Sequence, residues 1–166
     1  AGVAAGAALP QVQLIEAGYK GGIYHTHGSA SGAFLKIGGK AAENALIAGP
    51  ILLVLDEVSD QVASRAVATE FVTRYESQFR ERPPIFAAGI YDAGLLLQEA
   101  IPEAQKSGKP GTPEFRAALR DALENAQGIV TSQGKVDMSP QDHSGFDSSG
   151  TVLLTVKAGA FRLLRE

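Results

Sequence analysis

Apolar residues recur at helical spacing along several stretches of the chain. In one of them, which runs from a cap at Ser59 or Asp60 to about Arg82, an apolar residue returns at every fourth position. The recurring residues are Val67, Phe71, Tyr75 and Phe79. This pattern predicts a long amphipathic helix. The next stretch, from Phe86 to about Gln105, is apolar on most faces, which predicts a second, buried helix.

A third helix is predicted to begin at Thr112. The threonine hydroxyl can cap the helix, Pro113 suits the first helical position, and Glu114 lies near the positive end of the helix dipole. An apolar stripe at helical spacing follows, formed by Phe115, Leu119 and Leu123.

Shorter apolar segments bounded by glycine or proline predict strands. These segments are Ile23–Thr26, Ala45–Ala48, Ile51–Leu55, Thr151–Lys157 and Phe161–Leu164. The continuous run Ile51–Leu55 fits a buried parallel strand. A short helix, from about Pro10 to a C-cap at Gly18, precedes the first strand. Because this helix has no earlier strand to cover, the pattern predicts a fragment of a longer α/β protein.

The composition excludes several classes of protein. Hydrophobic residues make up 45% and charged residues 20% of the chain, which is typical of a globular protein. The net charge is −3, with no basic stripe, so nucleic acid is not an expected partner. No apolar run reaches the roughly 18 residues of a membrane span. Cysteine is absent, which excludes disulfides and thiolate metal sites.

Two histidines lie at the end of the first predicted strand, in Tyr24-His25-Thr26-His27-Gly28. A strand end followed by glycine is a place where α/β proteins hold small ligands. Strand alternation predicts that His25 and His27 share one face. The same pair could begin a zinc site. Conceivable third ligands are His143, Asp142 and Asp56.

The predicted buried helix carries two further residues of interest. Asp92 lies among apolar residues, so its carboxylate needs a hydrogen-bonding partner or a place near the helix N-terminus. Phe86, at the start of the helix, could form one wall of a pocket. No glycine-flanked serine elbow and no phosphate-binding glycine loop occurs, so neither nucleophilic catalysis by a serine nor a phosphate-binding loop is indicated.

Three stretches, taken in order, resemble one family. The first is Gly18-Tyr19-Lys20-Gly21 followed by Ile23 and Gly28, and the second is Tyr91-Asp92-Ala93. The third contains Asn125 to Gly128, Met138-Ser139-Pro140, residues 142–147 and a terminal strand pair ending at Phe161. Together they resemble the C-terminal half of periplasmic substrate-binding proteins of ABC importers, of the branched-chain amino acid (Leu/Ile/Val-binding) type.

This resemblance implies an α/β fold of the type I periplasmic-binding-protein-like, two-lobe kind, present here only as an incomplete C-terminal portion. Residues 1–56 and 128–166 would belong to the second lobe, and residues 57–127 to the first. The lobes would close by a hinge motion on a ligand in the cleft between them. The expected partners include the missing N-terminal half or a second copy of the chain.

The resemblance also implies ligand-binding residues. An acid that pairs with the ammonium group of an amino-acid ligand commonly occupies the family position that falls on His27. Histidine cannot supply a dependable negative charge, so a carboxylate without an ammonium group, such as an aromatic acid, is the expected ligand. A branched-chain amino acid is the alternative. His27 would donate to a ligand oxygen, Phe86 would stack on the ring, and Gly28, His25 and Val3 complete the predicted site.

The function implied by the resemblance is that of a non-enzymatic, periplasmic solute-binding component that docks on the membrane permease of an ABC importer. No cofactor or metal is expected in it. Two alternatives stay open. One is the ligand-sensing domain of a receptor or regulator, which a fused DNA-binding or membrane segment would distinguish. The other is a small metal-dependent hydrolase using His25 and His27, which stoichiometric zinc would indicate.

Overall fold

Two units of structure share the chain. A computed structural model describes residues 2–165. The first unit contains the residues up to Ser59 and those from Thr151 onward, and the second unit is Asp60–Gly150. The helices are α1 (Ala5–Glu16), α2 (Gly32–Gly38), α3 (Ala63–Phe79), α4 (Ile85–Gln105) and α5 (Pro113–Glu124). The strands are β1 (Tyr24–His25), β2 (Leu46–Pro50), β3 (Ile129–Val130), β4 (Lys135–Val136), β5 (Thr151–Lys157) and β6 (Ala160–Leu163).

The first unit is built on a sheet with the strand order β1-β2-β5-β6. Strand β1 runs parallel to β2, with Tyr24 opposite Leu46, whereas β5 runs antiparallel to both β2 and β6. Ile47 of β2, Leu154 of β5 and Phe34 of α2 are fully buried. The core of this unit therefore contains side chains from both the sheet and a helix, as expected of an α/β fold.

Helix α1 buries a face of small residues. Its buried positions are Ala7, Ala8 and Gln11, and it packs against α2. The helix begins five residues before the predicted start and holds Pro10 in its interior. Alanine has the highest helix propensity, which explains why the alanine-rich segment before the proline is helical.

The segment around Gly49-Pro50 differs from the prediction. Strand β2 runs through both residues, whereas the predicted strand Ile51–Leu55 is wrong. Ile51–Glu57 instead forms 3-10 helical turns, with a break at Val54 (φ −138°, ψ 34°). The buried side chains of this segment are Ile51, Leu52, Val54 and Leu55. The apolar run thus predicted burial correctly, but periodicity alone does not separate a buried strand from buried helical turns.

Helix α3 carries the predicted aromatic stripe. The rings of Phe71 and Tyr75 lie 5.9 Å apart, and those of Tyr75 and Phe79 lie 4.5 Å apart. Phe71 also contacts Tyr91 of α4, at 4.8 Å between ring centroids. The amphipathic helix is confirmed, although it begins at Ala63, after the predicted cap.

Helices α4 and α5 pack against each other in the second unit. Helix α4 continues through Pro102 to Gln105, but the prediction that it is a buried helix is wrong, because its buried positions are only Ile85, Ala88, Asp92, Ala100 and Ala104. Helix α5 begins as predicted: Pro113 is its first residue, and the Thr112 hydroxyl oxygen accepts a hydrogen bond from Phe115 N at 3.2 Å. Within residues 2–165, no helix has both the length and the apolar character needed to cross a membrane.

Asp92 joins α4 to the hairpin formed by β3 and β4. Its Oδ1 accepts a hydrogen bond from Ser132 N at 2.8 Å, and its Oδ2 accepts one from Gln133 Nε2 at 3.0 Å. Asp92 is only 3% exposed. The partners that a buried carboxylate was predicted to need are therefore supplied by the loop between the two strands.

The boundaries between the units differ from the predicted lobe boundaries mainly over residues 128–150. The units change after Ser59 and after Gly150, whereas the predicted segments change after residues 56 and 127. Residues 128–150 lie with the helices of the second unit because Asp92 holds the hairpin and Glu124 of α5 pairs with His143. The assignment of the two units to lobes stays a prediction, and its outermost residues, Ala1 and Glu166, lie outside the described part of the chain.

Candidate functional site

Strand β1 ends at His25, and the chain then turns. Thr26 is extended (φ −84°, ψ 173°), and His27–Ser29 form a 3-10 turn. A backbone hydrogen bond of 3.0 Å from Ser29 N to Thr26 O closes this turn. The strand is thus shorter than predicted, and strand alternation does not set the directions of the two histidines. The His25 side chain is half-buried, whereas His27 is exposed.

Gly28 brings this turn against the loop that precedes α1. A Cβ atom at Gly28 would lie 3.0 Å from Gly2 O and 3.3 Å from Val3 Cγ2, so a side chain there would force the two segments apart. Glycine permits this close approach. Val3 itself is 54% exposed. The structure therefore brings together Val3, His27 and Gly28 from the predicted site.

His25 occupies a hydrogen-bonded network inside the first unit. Its Nε2 lies 2.5 Å from Gln11 Oε1, and its Nδ1 lies 3.1 Å from Ser29 Oγ. The Gln11 amide nitrogen donates to Ala41 O at 2.6 Å, which leaves Oε1 to accept from the imidazole. The proton is therefore on Nε2, and Nδ1 accepts from the serine hydroxyl. Phe34 packs edge-on against the ring, with centroids 4.8 Å apart.

Two members of this network were not predicted from the sequence. Gln11 is 2% exposed and Ser29 is 1% exposed. A signal for Gln11 exists, because it follows Ala7 and Ala8 on one face of α1, and a polar residue on a buried face needs a partner. The identity of that partner is not a local property, since His25 lies 14 residues further along the chain.

Both histidines of the turn favour the neutral form. Neighbouring protein atoms partly desolvate both rings, including the solvent-exposed His27, and this lowers the pKa of His25 and of His27 from the ordinary value of 6.5. A neutral imidazole carries one N–H group and one lone pair. At neutral pH, His27 can therefore donate one hydrogen bond without bringing a positive charge.

Acidification should destabilise the first unit. With both pKa values lowered in the folded state, the unfolded chain binds protons first as the pH falls. The stabilising effect of neutral His25 and His27 is complete above pH 6.5 and is lost as the pH falls from there towards their folded pKa values. The urea midpoint should fall between about pH 7.5 and about pH 5, and by less in a His25→Gln, His27→Gln double variant. An equal fall in both proteins would assign the effect to other groups.

Phe86 lies in the second unit, in the first turn of α4. Its side chain is 59% exposed, which is unusual for a phenylalanine. An exposed aromatic ring can present its face to a ligand or to another part of a protein. The participation of Phe86 in a ligand site stays a prediction.

A metal site receives no support from the described residues. Residues 2–165 contain no group of three His, Asp or Glu side chains that could hold a metal ion. Of the conceivable third ligands, His143 is paired with Glu124 at 2.7 Å. Asp142 accepts hydrogen bonds from two backbone N–H groups of its own loop. Both nitrogens of His25 are hydrogen-bonded within the protein, so a zinc ion would have to compete for them.

The second unit has an apolar groove between α4, α5 and the segment after β4, with a volume of about 540 Å³. Arg120, Glu124 and His143 are its charged or titratable lining residues, and Phe86 is not part of the lining. Its apolar lining residues are Ala93, Leu96, Leu97, Leu123 and Met138. None of the residues of the predicted ligand site lines this groove.

Solved structures share this fold. A protein of Rhodopseudomonas palustris strain CGA009, Rp1789, is 40% identical to this chain with a TM-score of 0.89, and the match covers 95% of this chain and 44% of that one. An extracellular ligand-binding receptor from Rhodopseudomonas palustris HaA2 is 39% identical, with the same TM-score of 0.89 and the same coverages of 95% and 44%. The leucine-binding protein LivK from Thermotoga maritima has a TM-score of 0.73 at 23% identity, covering 95% and 40%, and shows the fold alone. No protein-family model and no curated protein matches this chain.

The chain therefore carries an incomplete portion of a type I periplasmic-binding-protein-like fold, and this predicted class is confirmed. Over 95% of its length it is similar to an extracellular ligand-binding receptor, and it shares its fold with substrate-binding proteins of branched-chain amino acid ABC transporters. It spans about 44% of the length of the first two relatives. The relative from strain HaA2 is described as an extracellular ligand-binding receptor, not as an enzyme.

Proposed function

We propose that this chain is part of a periplasmic solute-binding component of an ABC importer, which delivers a small carboxylate to a membrane permease. The similarity to an extracellular ligand-binding receptor at 39% identity supports a binding role. Among the fold neighbours, one branched-chain amino acid ABC transporter protein holds valine and another is in complex with isoleucine. Both of those ligands are small carboxylates.

The observation that carries the proposal is the state of His27. Its imidazole is exposed, and no side chain or backbone group among residues 2–165 accepts or donates a hydrogen bond to it. It extends from a turn that Gly28 holds against Val3. Because its pKa is lowered, it offers a neutral N–H group at neutral pH. Such a group suits a carboxylate oxygen, and it lacks the negative charge of an acid that would pair with an ammonium group.

Phe86 supports an aromatic ligand. An exposed ring in the first turn of α4 can stack on a second ring, and aromatic pairs contribute about 0.5 to 1.5 kcal/mol beyond the area they bury. An aliphatic side chain gains only the area term. With His27 on the carboxylate, the favoured ligand is an aromatic acid, and a branched-chain amino acid is the alternative.

A ligand panel on the full-length protein tests this proposal. Benzoate, phenylacetate and cinnamate at about one hundred times their Kd should raise the melting temperature by about 5 °C or more, because binding to the folded state stabilises it by about 2.7 kcal/mol. Leucine and valine at the same concentrations should raise it by less. Benzyl alcohol and benzylamine, which keep the ring and lack the carboxylate, are the matched controls.

The outcomes separate the two parts of the proposal. Leucine or valine as the best stabiliser would overturn the preference for a carboxylate without an ammonium group. Equal stabilisation by benzylamine and benzoate would overturn the role given to the carboxylate. No stabilisation by any compound of the panel would overturn the binding of small carboxylates.

A further inference from the structure

We propose that His25 is a positioning residue for the ligand-binding turn: through Ser29 and Gln11 it holds His27 and Gly28 in the orientation that receives the ligand. The inference rests on the proposed function, because it needs the turn to contact the ligand. It replaces the direct ligand contact predicted for His25 with a role through its neighbours, because both nitrogens of its ring are hydrogen-bonded within the protein.

The hydrogen bonds around His25 all run in one direction. The Ser29 hydroxyl donates to Nδ1, Nε2 donates to Gln11 Oε1, and the Gln11 amide donates to Ala41 O. The backbone carbonyl of Ala41 can only accept a hydrogen bond, so the Gln11 amide nitrogen must donate to it. This fixes the direction of each earlier hydrogen bond, from Gln11 back to Ser29. A neutral imidazole with its proton on Nε2 satisfies this order, whereas the reversed tautomer would place two acceptors, Nε2 and Gln11 Oε1, face to face.

The network holds the ligand-binding turn from both ends. His25 comes two residues before His27, and Ser29 comes two residues after it. The hydrogen bond between Ser29 and the His25 ring therefore joins the two ends of the segment that carries His27. The other side of the ring is tied to Gln11 of α1. The loop before α1 supplies Val3, which lies against Gly28. The His25 imidazole thus sets the position of the turn relative to α1. The loop before α1 carries Val3, which lies beside the turn.

Burial makes these bonds costly to lose. Gln11 is 2% exposed and Ser29 is 1% exposed, so water has little access to either side chain. A buried polar group that loses its partner retains the full cost of desolvation. The edge-on contact with Phe34, which is fully buried, limits rotation of the His25 ring. The turn is therefore held by directional bonds that solvent cannot readily replace.

Ser29→Ala is the test variant, and Ser31→Ala is the matched control. The first removes the hydroxyl that joins the turn to His25. The second removes the N-cap of α2, where Ser31 Oγ accepts from Phe34 N at 3.3 Å, and leaves the network intact. Both changes delete one serine hydroxyl and should lower stability to a similar degree. The probe is whichever of benzoate, phenylacetate, cinnamate and leucine binds the full-length protein most tightly in calorimetry.

Ser29→Ala should weaken binding of this probe by about three- to thirtyfold, and Ser31→Ala by less than about twofold. In a double-mutant cycle, the effect of Ser29→Ala should largely disappear in a His27→Ala background, because the turn then has no imidazole left to position. A second pair of variants, at His25 itself, keeps the test from depending on Ser29→Ala alone. His25→Asn, whose amide oxygen can replace Nδ1 as the acceptor for Ser29, should retain more affinity than His25→Ala.

The cycle separates failure of this inference from failure of the proposed function. If His27→Ala weakens binding and Ser29→Ala weakens it by the same factor in the His27→Ala background as in the unsubstituted protein, the two effects are independent. His25 then has only a general structural role, and the inference is overturned. Equal losses of affinity in Ser29→Ala and Ser31→Ala would overturn it as well. If His27→Ala leaves the affinity unchanged, the proposed ligand contact is itself wrong, and the positioning role ends with it.

Discussion

His27→Glu should exchange the ligand preference of the full-length protein. Benzoate affinity should fall by about a hundredfold or more, because the new carboxylate faces the carboxylate of the ligand, and like charges brought together at a binding site cost several kcal/mol. Leucine affinity should rise, because an acid at this turn can form a charge-assisted hydrogen bond with the ammonium group. Calorimetric titration of both ligands into both proteins measures the exchange.

His27→Gln is the matched control for charge. Glutamine keeps an N–H donor on a side chain of similar length and brings no charge. Its benzoate affinity should therefore fall by less than about tenfold, with no gain for leucine. Benzoate binding by His27→Glu within a factor of about three of the unsubstituted protein would contradict a contact between His27 and the carboxylate.

Asp92→Ala should produce a large loss of stability in the second unit. The change leaves the Ser132 N–H group and the Gln133 amide without their acceptors at a place where Asp92 is only 3% exposed. Leaving buried donors unpaired and removing hydrogen bonds to a carboxylate should lower the free energy of unfolding by about 3 kcal/mol. Urea unfolding followed by circular dichroism measures this loss.

Two comparisons make the Asp92 prediction specific. Asp92→Asn keeps an oxygen for the Ser132 N–H group and should lose only about 1 kcal/mol. Asp121→Ala removes an exposed carboxylate that pairs with the neighbouring Arg120 and should change stability by less than about 0.5 kcal/mol. Similar small losses for Asp92→Ala and Asp121→Ala would show that Asp92 does not hold the hairpin to α4.

Local signals in the sequence predicted the elements that are determined locally. Thr112-Pro113-Glu114 satisfies several requirements of a helix start within three residues, and α5 begins there. The final strand pair was predicted because β-branched and aromatic residues flank a short glycine-containing turn, and β5 and β6 are observed. The requirement of Asp92 for a partner was also predictable, because burial of an unpaired carboxylate is unfavourable in any fold.

The elements that were wrong depend on the rest of the fold. Ile51–Leu55 is a continuous apolar run, so its burial was visible, but helical turns and a strand bury such a run equally well. Strand β1, which ends at His25, is short because a 3-10 turn begins at His27, and no residue between Ile23 and Gly28 signals this turn strongly. Backbone hydrogen bonds to a neighbouring strand, which decide such cases, have no local signature.

For the candidate site, the sequence indicated the turn that carries His27 and Gly28, but not the hydrogen-bonded network that holds this turn in place. His27 and Gly28 stood out because two histidines and a glycine follow a predicted strand. The link from His25 to Gln11 spans 14 residues and joins a helix to a strand, so it depends on how α1 packs. Phe86 was predicted from its position at a helix start and from the family resemblance, whereas its exposure is a property of the folded unit.

Histidine nitrogen resonances in the full-length protein test the central claim most directly, because they report on the proposed contact itself. The chain has three histidines, and a spectrum of His27→Gln assigns the signal of interest. Saturating benzoate should shift the ring nitrogens of His27 and leave those of His143 in place, with a midpoint that matches the calorimetric Kd. Benzoate binding by calorimetry in the same sample, with the His27 ring signals unmoved, would contradict the account.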